Sequence, residues 1–238
     1  MKIDATDVGF ERLNAQLRAS NDKECEITGC LGQRFIAAGE KDAHIILKGT
    51  PGNALAAYLN GATIEVFGNA QDAVGDTMNA GCVVIHGNIG DAAGYAMRGG
   101  TIYVKGNAGY RAGIHMKEYR DKVPRLVIGG TVGSFLGEYQ AGGIIIVLGL
   151  TGDKQIVGNF PCTGMHGGKV LLRTGLKNIV LPKNVHAREI KVKGSEFEES
   201  IKTFCVLFGY NNEELLDSGY TLITPDTSNP YKQMYVQN

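Results

Sequence analysis

Between residues 49 and 172 the chain alternates short β-branched apolar runs with polar stretches punctuated by glycine, and the alternation repeats. The opening glycines Gly49, Gly68, Gly87 and Gly106 lie nineteen residues apart. Set beneath one another, the units read GTPGNALAAYLNGATIEVF, GNAQDAVGDTMNAGCVVIH, GNIGDAAGYAMRGGTIYVK and GNAGYRAGIHM. The last of these carries five extra residues around KEYRDKVP before its strand, RLVIG; register resumes at Gly130 with GTVGSFLGEYQAGGIIIVL, and a looser unit follows from Gly149. With the opening glycine as offset zero, and allowing for the insertion, offsets fifteen and seventeen hold Ile64/Val66, Val83/Ile85, Ile102/Val104, Leu126/Ile128, Ile145/Val147 and Val170/Leu172. Alternate residues of a strand point the same way, so these pairs face one interior. Offset ten adds Leu59, Met78, Met97 and Met116, and offset seven holds Gly75, Gly94, Gly113 and Gly137.

A fixed period of this length, with one short strand per unit, predicts a repeat architecture in which like residues stack. Leucine-rich repeats have similar periods, but the sequence lacks their leucine consensus and shows no sign of the asparagine ladder they require. The expected fold is mainly β: a right-handed parallel β-helix of about six to seven coils, stacked about 4.8 Å apart, with N- and C-terminal capping helices. The expected division is an N-terminal capping helix over 1–22, the β-helix over 23–182, and a helical segment with an extended tail over 183–238. In DVGFERLNAQLRA (7–19), Phe10, Leu13 and Leu17 fall at helical spacing, with Thr6 or Asp7 as the cap. In SEFEESIKTFCVLFG (195–209), Ser195 precedes Glu198 in a capping-box pattern and Gly209 ends the helix. NEELLDSG reads as a short helix, and TPDTSNPYKQMYVQN as the extended tail.

Composition sharpens this picture at one point. Glycine accounts for 34 of 238 residues, about twice the roughly 7% of ordinary chains. The excess lies inside the repeat, where corners demand positive φ or close approach. These glycines do not form a phosphate loop, since neither GxGxxG between a strand and a long helix nor GxxxxGK followed by Ser or Thr occurs. Lysine plus arginine and aspartate plus glutamate both number 24, a balance that argues against nucleic-acid binding. The longest apolar run, 142–150, is too short to span a bilayer, and the N-terminus lacks the apolar core of a signal peptide, so a cytoplasmic protein is expected.

Candidate chemistry is thin. The five cysteines lack CxxC spacing and do not suggest a disulfide framework; Cys25 and Cys30 with His44 are the nearest thing to a metal set, though buried small hydrophobes are the better reading. His166 in GMHGG is the histidine best placed to be a ligand. Asp72, Asp76 and Asp91 sit on successive units, where carboxylates can meet as they do in β-helical glycosidases; solvated turn residues are the simpler account. No residue is assigned a catalytic role, and no cofactor or metal is assigned to this chain.

The stretches GNALAAYLNGATIEVFGNAQDAVGDTMNAG, GYAMRGGTIYVKGNAGYRAGIHM and GEYQAGGIIIVLG, with GCLGQRFIAAG before them, resemble the GXGXG domain, the C-terminal β-helical domain of the glutamate synthase large subunit. The resemblance covers about 29–175. The chain carries neither the N-terminal cysteine nucleophile of a glutaminase, nor a flavin barrel, nor iron–sulfur cysteines, and so looks like a free-standing version of the domain, as the helical N-terminal segment and the NPYKQMY tail also suggest. The resemblance implies a non-catalytic scaffold subunit of a split glutamate synthase-type complex. It would hold a glutamine amidotransferase subunit and a synthase subunit carrying FMN and iron–sulfur clusters. The same resemblance extends to the β-helix subunits of formylmethanofuran dehydrogenase and N-methylglutamate synthase. A carbohydrate-active or a self-assembling, homo-oligomeric β-helix protein stands further off.

One row bears on docking. Offset sixteen should face outward and reads Glu65, Val84, Tyr103, Val127, Ile146 and Leu171. Tyr103, Val127, Ile146 and Leu171 are therefore the candidate partner interface, unless the C-terminal segment covers them. The insertion KEYRDKVPR (117–125) is a second docking candidate.

Overall fold

The computed structural model describes residues 1–152, 155–173 and 179–226. Its backbone is one mainly β arrangement. The strands are β1 (Lys2–Asp4), β2 (Glu24–Leu31), β3 (His44–Thr50), β4 (Asn60–Phe67), β5 (Ala80–Ile85), β6 (Thr101–Val104), β7 (Arg125–Ile128), β8 (Ala141–Val147), β9 (Gly167–Leu172), β10 (Val185–Ile190) and β11 (Tyr220–Pro225). They form one sheet in the order β1 to β9, then β11, then β10. β1 through β9 pair in parallel, whereas β11 is antiparallel to both its neighbours. Among the described residues three helices accompany the sheet: α1 (Phe10–Ala19), α2 (Glu198–Phe208) and α3 (Asn212–Leu216).

The nineteen-residue interval is the register of the sheet. Ile45 faces Ile64, which faces Val83, which faces Ile102. The register then continues through Leu126, Ile145 and Val170 once the insertion has been absorbed. A second line of parallel bridges joins Ala70, Ile89, Ala108, Val132 and Val157. Both apolar ladders read from the sequence are buried, and Leu59, Met78, Met97 and Met116 are buried with them in a single core that reaches from Ile3 to Ile223.

Between strands, each unit makes a turn in which three alternate residues adopt left-handed φ. They are Ala54, Ala56 and Tyr58 in one unit, Ala73, Gly75 and Thr77 in the next, then Ala92, Gly94 and Ala96, and so on to Phe160, Cys162 and Gly164. The alternation sends successive N–H groups to opposite neighbours. Ala73 N–H donates to the Asp91 carbonyl at 2.8 Å in the following unit, Gly75 N–H to Leu55 in the preceding one at 2.8 Å, and Thr77 N–H to Tyr95 at 2.8 Å. Backbone hydrogen bonding therefore continues through corners that would otherwise leave polar groups unpaired inside the stack. A non-glycine residue in this region costs about 1–2 kcal/mol, which the hydrogen bonds it aligns offset.

Close approach sets the glycine requirement at the start of each unit. A Cβ on Gly87 would meet the Asn69 side-chain oxygen and lie 2.6 Å from the Gly68 carbonyl oxygen. Asparagine follows the opening glycine at 69, 88 and 107, and each side chain accepts the backbone N–H of its counterpart one unit on, at 2.8 Å. An asparagine ladder is thus present, contrary to the expectation from sequence; it lies at offset one and caps the corner.

The termini depart from expectation in an instructive way. α1 starts at Phe10 with Gly9 as N-cap and no side-chain cap, so neither Thr6 nor Asp7 plays that part. Leu13 and Leu17 nonetheless seal the N-terminal end of the core, and Asn14 Nδ2 donates to the Arg34 carbonyl at 2.9 Å. α2 has no reciprocal capping box: Ser195 Oγ accepts from Phe197 N–H, while the Glu198 carboxylate accepts from Gly194 N–H. Gly209 does end the helix in the left-handed conformation, and Asn211 caps α3. α2 does not sit over the end of the stack. It lies against the outer face of the sheet, and the C-terminal end of the sheet is extended instead by β11 and β10. Of the expected extended tail, Thr224 and Pro225 close β11 and Asp226 follows; 227–238 lie outside the described residues.

This arrangement corrects the expected partner interface. Tyr103, Val127, Ile146 and Leu171 do face away from the main core, but they are 6%, 0%, 0% and 0% exposed. They form a second core with Val192, Phe197, Ile201, Phe204, Leu215, Tyr220 and Leu222. Arg125 donates to Ser200 Oγ at 3.3 Å, and Lys169 pairs with Glu196 at 2.5 Å, fixing the C-terminal segment over the row. The physical reason is burial: each fully covered Val, Leu or Ile contributes about 1.5–3 kcal/mol, and the chain supplies that cover from its own C-terminal segment. Ile146→Ala should accordingly lower unfolding free energy by about 2–5 kcal/mol, read from a denaturant midpoint. Gly87→Ala should cost about 1–3 kcal/mol, whereas Gly219→Ala, with nothing near the added methyl group, should leave the midpoint unchanged.

Candidate interaction surface

The left-handed turns set side chains on an outer corner of the stack, and several of the exposed large apolar residues lie there. Tyr58, Tyr95, Tyr110, Tyr139, Phe135 and Phe160 occupy this corner; Tyr58, Tyr110 and Phe160 are more than half exposed. Stacking brings residues from successive units together. Tyr95 meets His115 edge to face at 5.9 Å between ring centroids, and His115 lies parallel to Tyr139 at 5.3 Å. Tyr139 in turn lies on Gly164, where any Cβ would strike the ring. A second pair, Phe135 and Phe160, stacks at 5.5 Å, and the Arg111 guanidinium sits 4.8 Å above Phe135 while its Nε pairs with Glu138 at 3.0 Å. A ring over a cation or another ring gains about 0.5–1.5 kcal/mol beyond its area, so this ridge is ordered although it faces solvent.

The insertion at 117–125 stands beside this ridge. Tyr119 and Lys122 close a tight turn by mutual backbone hydrogen bonds at 3.1 Å, and Arg120 caps it with its guanidinium 5.2 Å from the Tyr119 ring. Glu118 Oε1 accepts the Gly143 N–H at 3.0 Å, anchoring the loop to the next unit. Arg98 Nη1 donates to the His115 carbonyl at 3.3 Å, which places that cation at the foot of the aromatic ridge. Sequence reading singles out the insertion but misses the ridge. A partial signal for it exists: Tyr58, His115, Phe135 and Tyr139 each stand two residues from an offset-seven position, whereas Tyr95 and Tyr110 fall outside that spacing.

The residues considered for chemistry are not brought together. Cys25 faces the core opposite Ile45, whereas His44 pairs with Glu24 on the other face at 2.9 Å, so Cys25, Cys30 and His44 cannot converge. Among the described residues no group of three His, Cys, Asp or Glu is placed to hold a metal ion. His166 Nδ1 lies 3.0 Å from its neighbour Gly164's carbonyl. Asp72 and Asp91 accept backbone N–H groups one unit on, from Asp91 at 2.9 Å and Tyr110 at 2.7 Å, and Asp76 accepts from Thr77 Oγ1 at 2.8 Å. These carboxylates cap turns. No described helix is long and apolar enough to cross a membrane.

Burial also governs the thiols. It pushes Cys30 and Cys82 up to about 11 and Cys162 up to about 12, and raises Cys25 and Cys205 as well. A raised pKa empties the thiolate form at neutral pH.

Comparison with known proteins places this geometry. A family model described as the GXGXG motif matches residues 23–224, and the chain belongs to that family. An uncharacterized protein of Methanocaldococcus jannaschii is 44% identical over 248 aligned residues, covering 98% of this chain and 95% of that protein. Among solved structures, a chain of the formyltransferase/hydrolase complex FhcABCD from Methylorubrum extorquens, crystallised with methylofuran, superposes with a TM-score of 0.61. It is 18% identical, and the match covers 91% of this chain and 87% of the other. That neighbour shares the fold.

Two measurements test these structural roles. At pH 8, iodoacetamide should modify native Cys30 and Cys162 about tenfold or more slowly than the same thiols in denaturant, as followed by peptide mass spectrometry. Asp91→Ala should cost about 0.5–1.5 kcal/mol in a denaturant melt, and Asp91→Asn, which keeps the acceptor oxygen, should cost less.

Proposed function

We propose that this chain is a non-catalytic scaffold subunit of a glutamate synthase-type complex, organising a glutamine amidotransferase subunit and a synthase subunit that carries FMN and iron–sulfur clusters. The observation that carries the reading is the family match over 23–224. The ridge adds support: a stiff, register-locked stack exposes one ordered aromatic corner, and aromatic side chains are enriched in protein interfaces. In this reading the stacked units wind as a right-handed parallel β-helix of about six to seven coils, the complex works in the cytoplasm, and the chain binds no cofactor of its own.

A second reading is favoured by the structural neighbour. A chain of a formyl-transferring and hydrolysing complex matches over most of its length, so the same scaffold can serve an enzyme of formyl-group chemistry. This brings the formylmethanofuran-type assembly forward as the alternative.

Gentle affinity purification of the tagged protein from its own cells, with mass spectrometry and an absorbance scan, tests both. Co-purification of an amidotransferase with a yellow-brown flavin and iron–sulfur subunit is the expected result. Recovery of formyl-transferring or molybdenum- or tungsten-dependent subunits would move the assignment to the second reading. A colourless protein recovered alone would overturn both.

A further inference from the structure

We infer that the corner formed by Tyr95, His115, Tyr139 and the insertion is a docking surface for an acidic, apolar-bearing segment of a partner polypeptide. The inference rests on the scaffold reading and names where one partner is held and by what chemistry.

Charge carries the first part. Around the ridge and the insertion lie Arg98, Lys117, Arg120, Lys122 and Arg111, against Glu118, Asp121 and Glu138. The carboxylates are largely committed within the chain: Glu138 pairs with Arg111, and Glu118 is bound to the Gly143 N–H. Lys117, Arg120 and Lys122 are exposed and have no ion pair among the described residues. Lys122 packs against Gly99, the residue after Arg98, since a Cβ on Gly99 would lie 3.1 Å from Lys122 Cβ. The whole chain is neutral, with 24 cationic and 24 acidic side chains, so this local excess is a feature of the corner and complements a negative partner.

The aromatic geometry decides what kind of partner. Nucleobases and sugars bind by lying on open ring faces. At the centre of this corner the faces are taken: His115 and Tyr139 cover each other and Gly164 lies under Tyr139, while Tyr95 meets His115 edge to face. Ring edges and the Tyr139 hydroxyl are what this central pair offers. Such a surface suits aliphatic side chains and backbone amides with carboxylates reaching the flanking cations. The position is also fixed, because the insertion is tied to neighbouring units by the Lys117 N–H bond to Met97 and the Glu118 bond to Gly143. A preorganised surface loses little entropy on binding.

The test uses the full chain and a fluorescein-labelled decapeptide alternating Glu and Leu, with its Gln–Leu counterpart and a labelled thymidine decamer as controls, read by fluorescence anisotropy. The expected result is binding of the acidic peptide alone. It should weaken about tenfold or more in Arg98→Glu/Lys117→Glu/Lys122→Glu and with rising salt. An unchanged melting temperature checks that the variant is folded; where it falls, Lys117→Glu/Lys122→Glu, both fully on the surface, replaces it. Equal binding of the Gln peptide, preference for the thymidine decamer, or no loss in the variant would overturn the inference. Parallel purification from cells separates the two levels. Partner subunits lost only from the variant support the surface. Partners retained by both forms overturn it and leave the scaffold reading standing, and no partner with either form overturns both.

Discussion

Most backbone amides that leave a strand in this protein bond to the unit before or after their own, and the need to pair them there governs the rest. With units nineteen residues long, the register Ile45–Ile64–Val83–Ile102 can hold only if the corners hydrogen-bond as regularly as the strands. The triple left-handed turn meets the need by aiming successive N–H groups at opposite neighbours, and the side chains of Asn69, Asn88, Asp72 and Asp91 take up N–H groups that the turn leaves over. A small residue at the middle left-handed position, as at Ala56, Gly75, Gly94, Gly113 and Gly137, and glycine at the unit starts follow from the same geometry. Only the side chains that project from the corner are free of that constraint.

That division explains what could be read in advance. Ile64/Val66 and their counterparts were legible because a buried strand face repeats strictly, and the methionines at offset ten because a stack of identical corners repeats too. The outer row was legible as far as one strand allows. That Tyr103, Val127, Ile146 and Leu171 face away from the main core is local information. That Phe204, Leu216 and Leu222 cover them depends on residues far along the chain, whose pairing no period announces. β10 and β11 escape for the same reason: VHAREI is half polar and largely exposed, and YTLITP ends in proline, so neither shares the repeat's pattern. The aromatic ridge was hidden by backbone conformation. A period-two reading cannot say where a side chain points when alternate residues turn left-handed.

Two outer surfaces thus have opposite fates. The outer face of the sheet is covered by the chain's own C-terminal helices, and contributes stability. The corner is left open, ordered by stacked rings and bordered by cations. On the proposed scaffold reading this separation is useful, since the open surface can change without disturbing the ladder beneath it. The five-residue insertion illustrates the point: it enters between Met116 and Arg125, and the register on either side is preserved.

The cover over the outer row also has a consequence in time. The stacked strands are built from neighbours in sequence and can form as the chain emerges from the ribosome, each unit docking on the one before. The row is complete once Leu171 has been made, but Ile201 and Phe204 of α2 come about thirty residues later, roughly two to six seconds at synthesis rates of about 5–20 residues per second. During that interval the nascent protein displays a bare apolar strip along the nine parallel strands already made, before β10 and β11 complete the sheet. Whatever lies closest to the exit tunnel then, whether a chaperone or another nascent chain, meets an apolar strip that the folded protein buries.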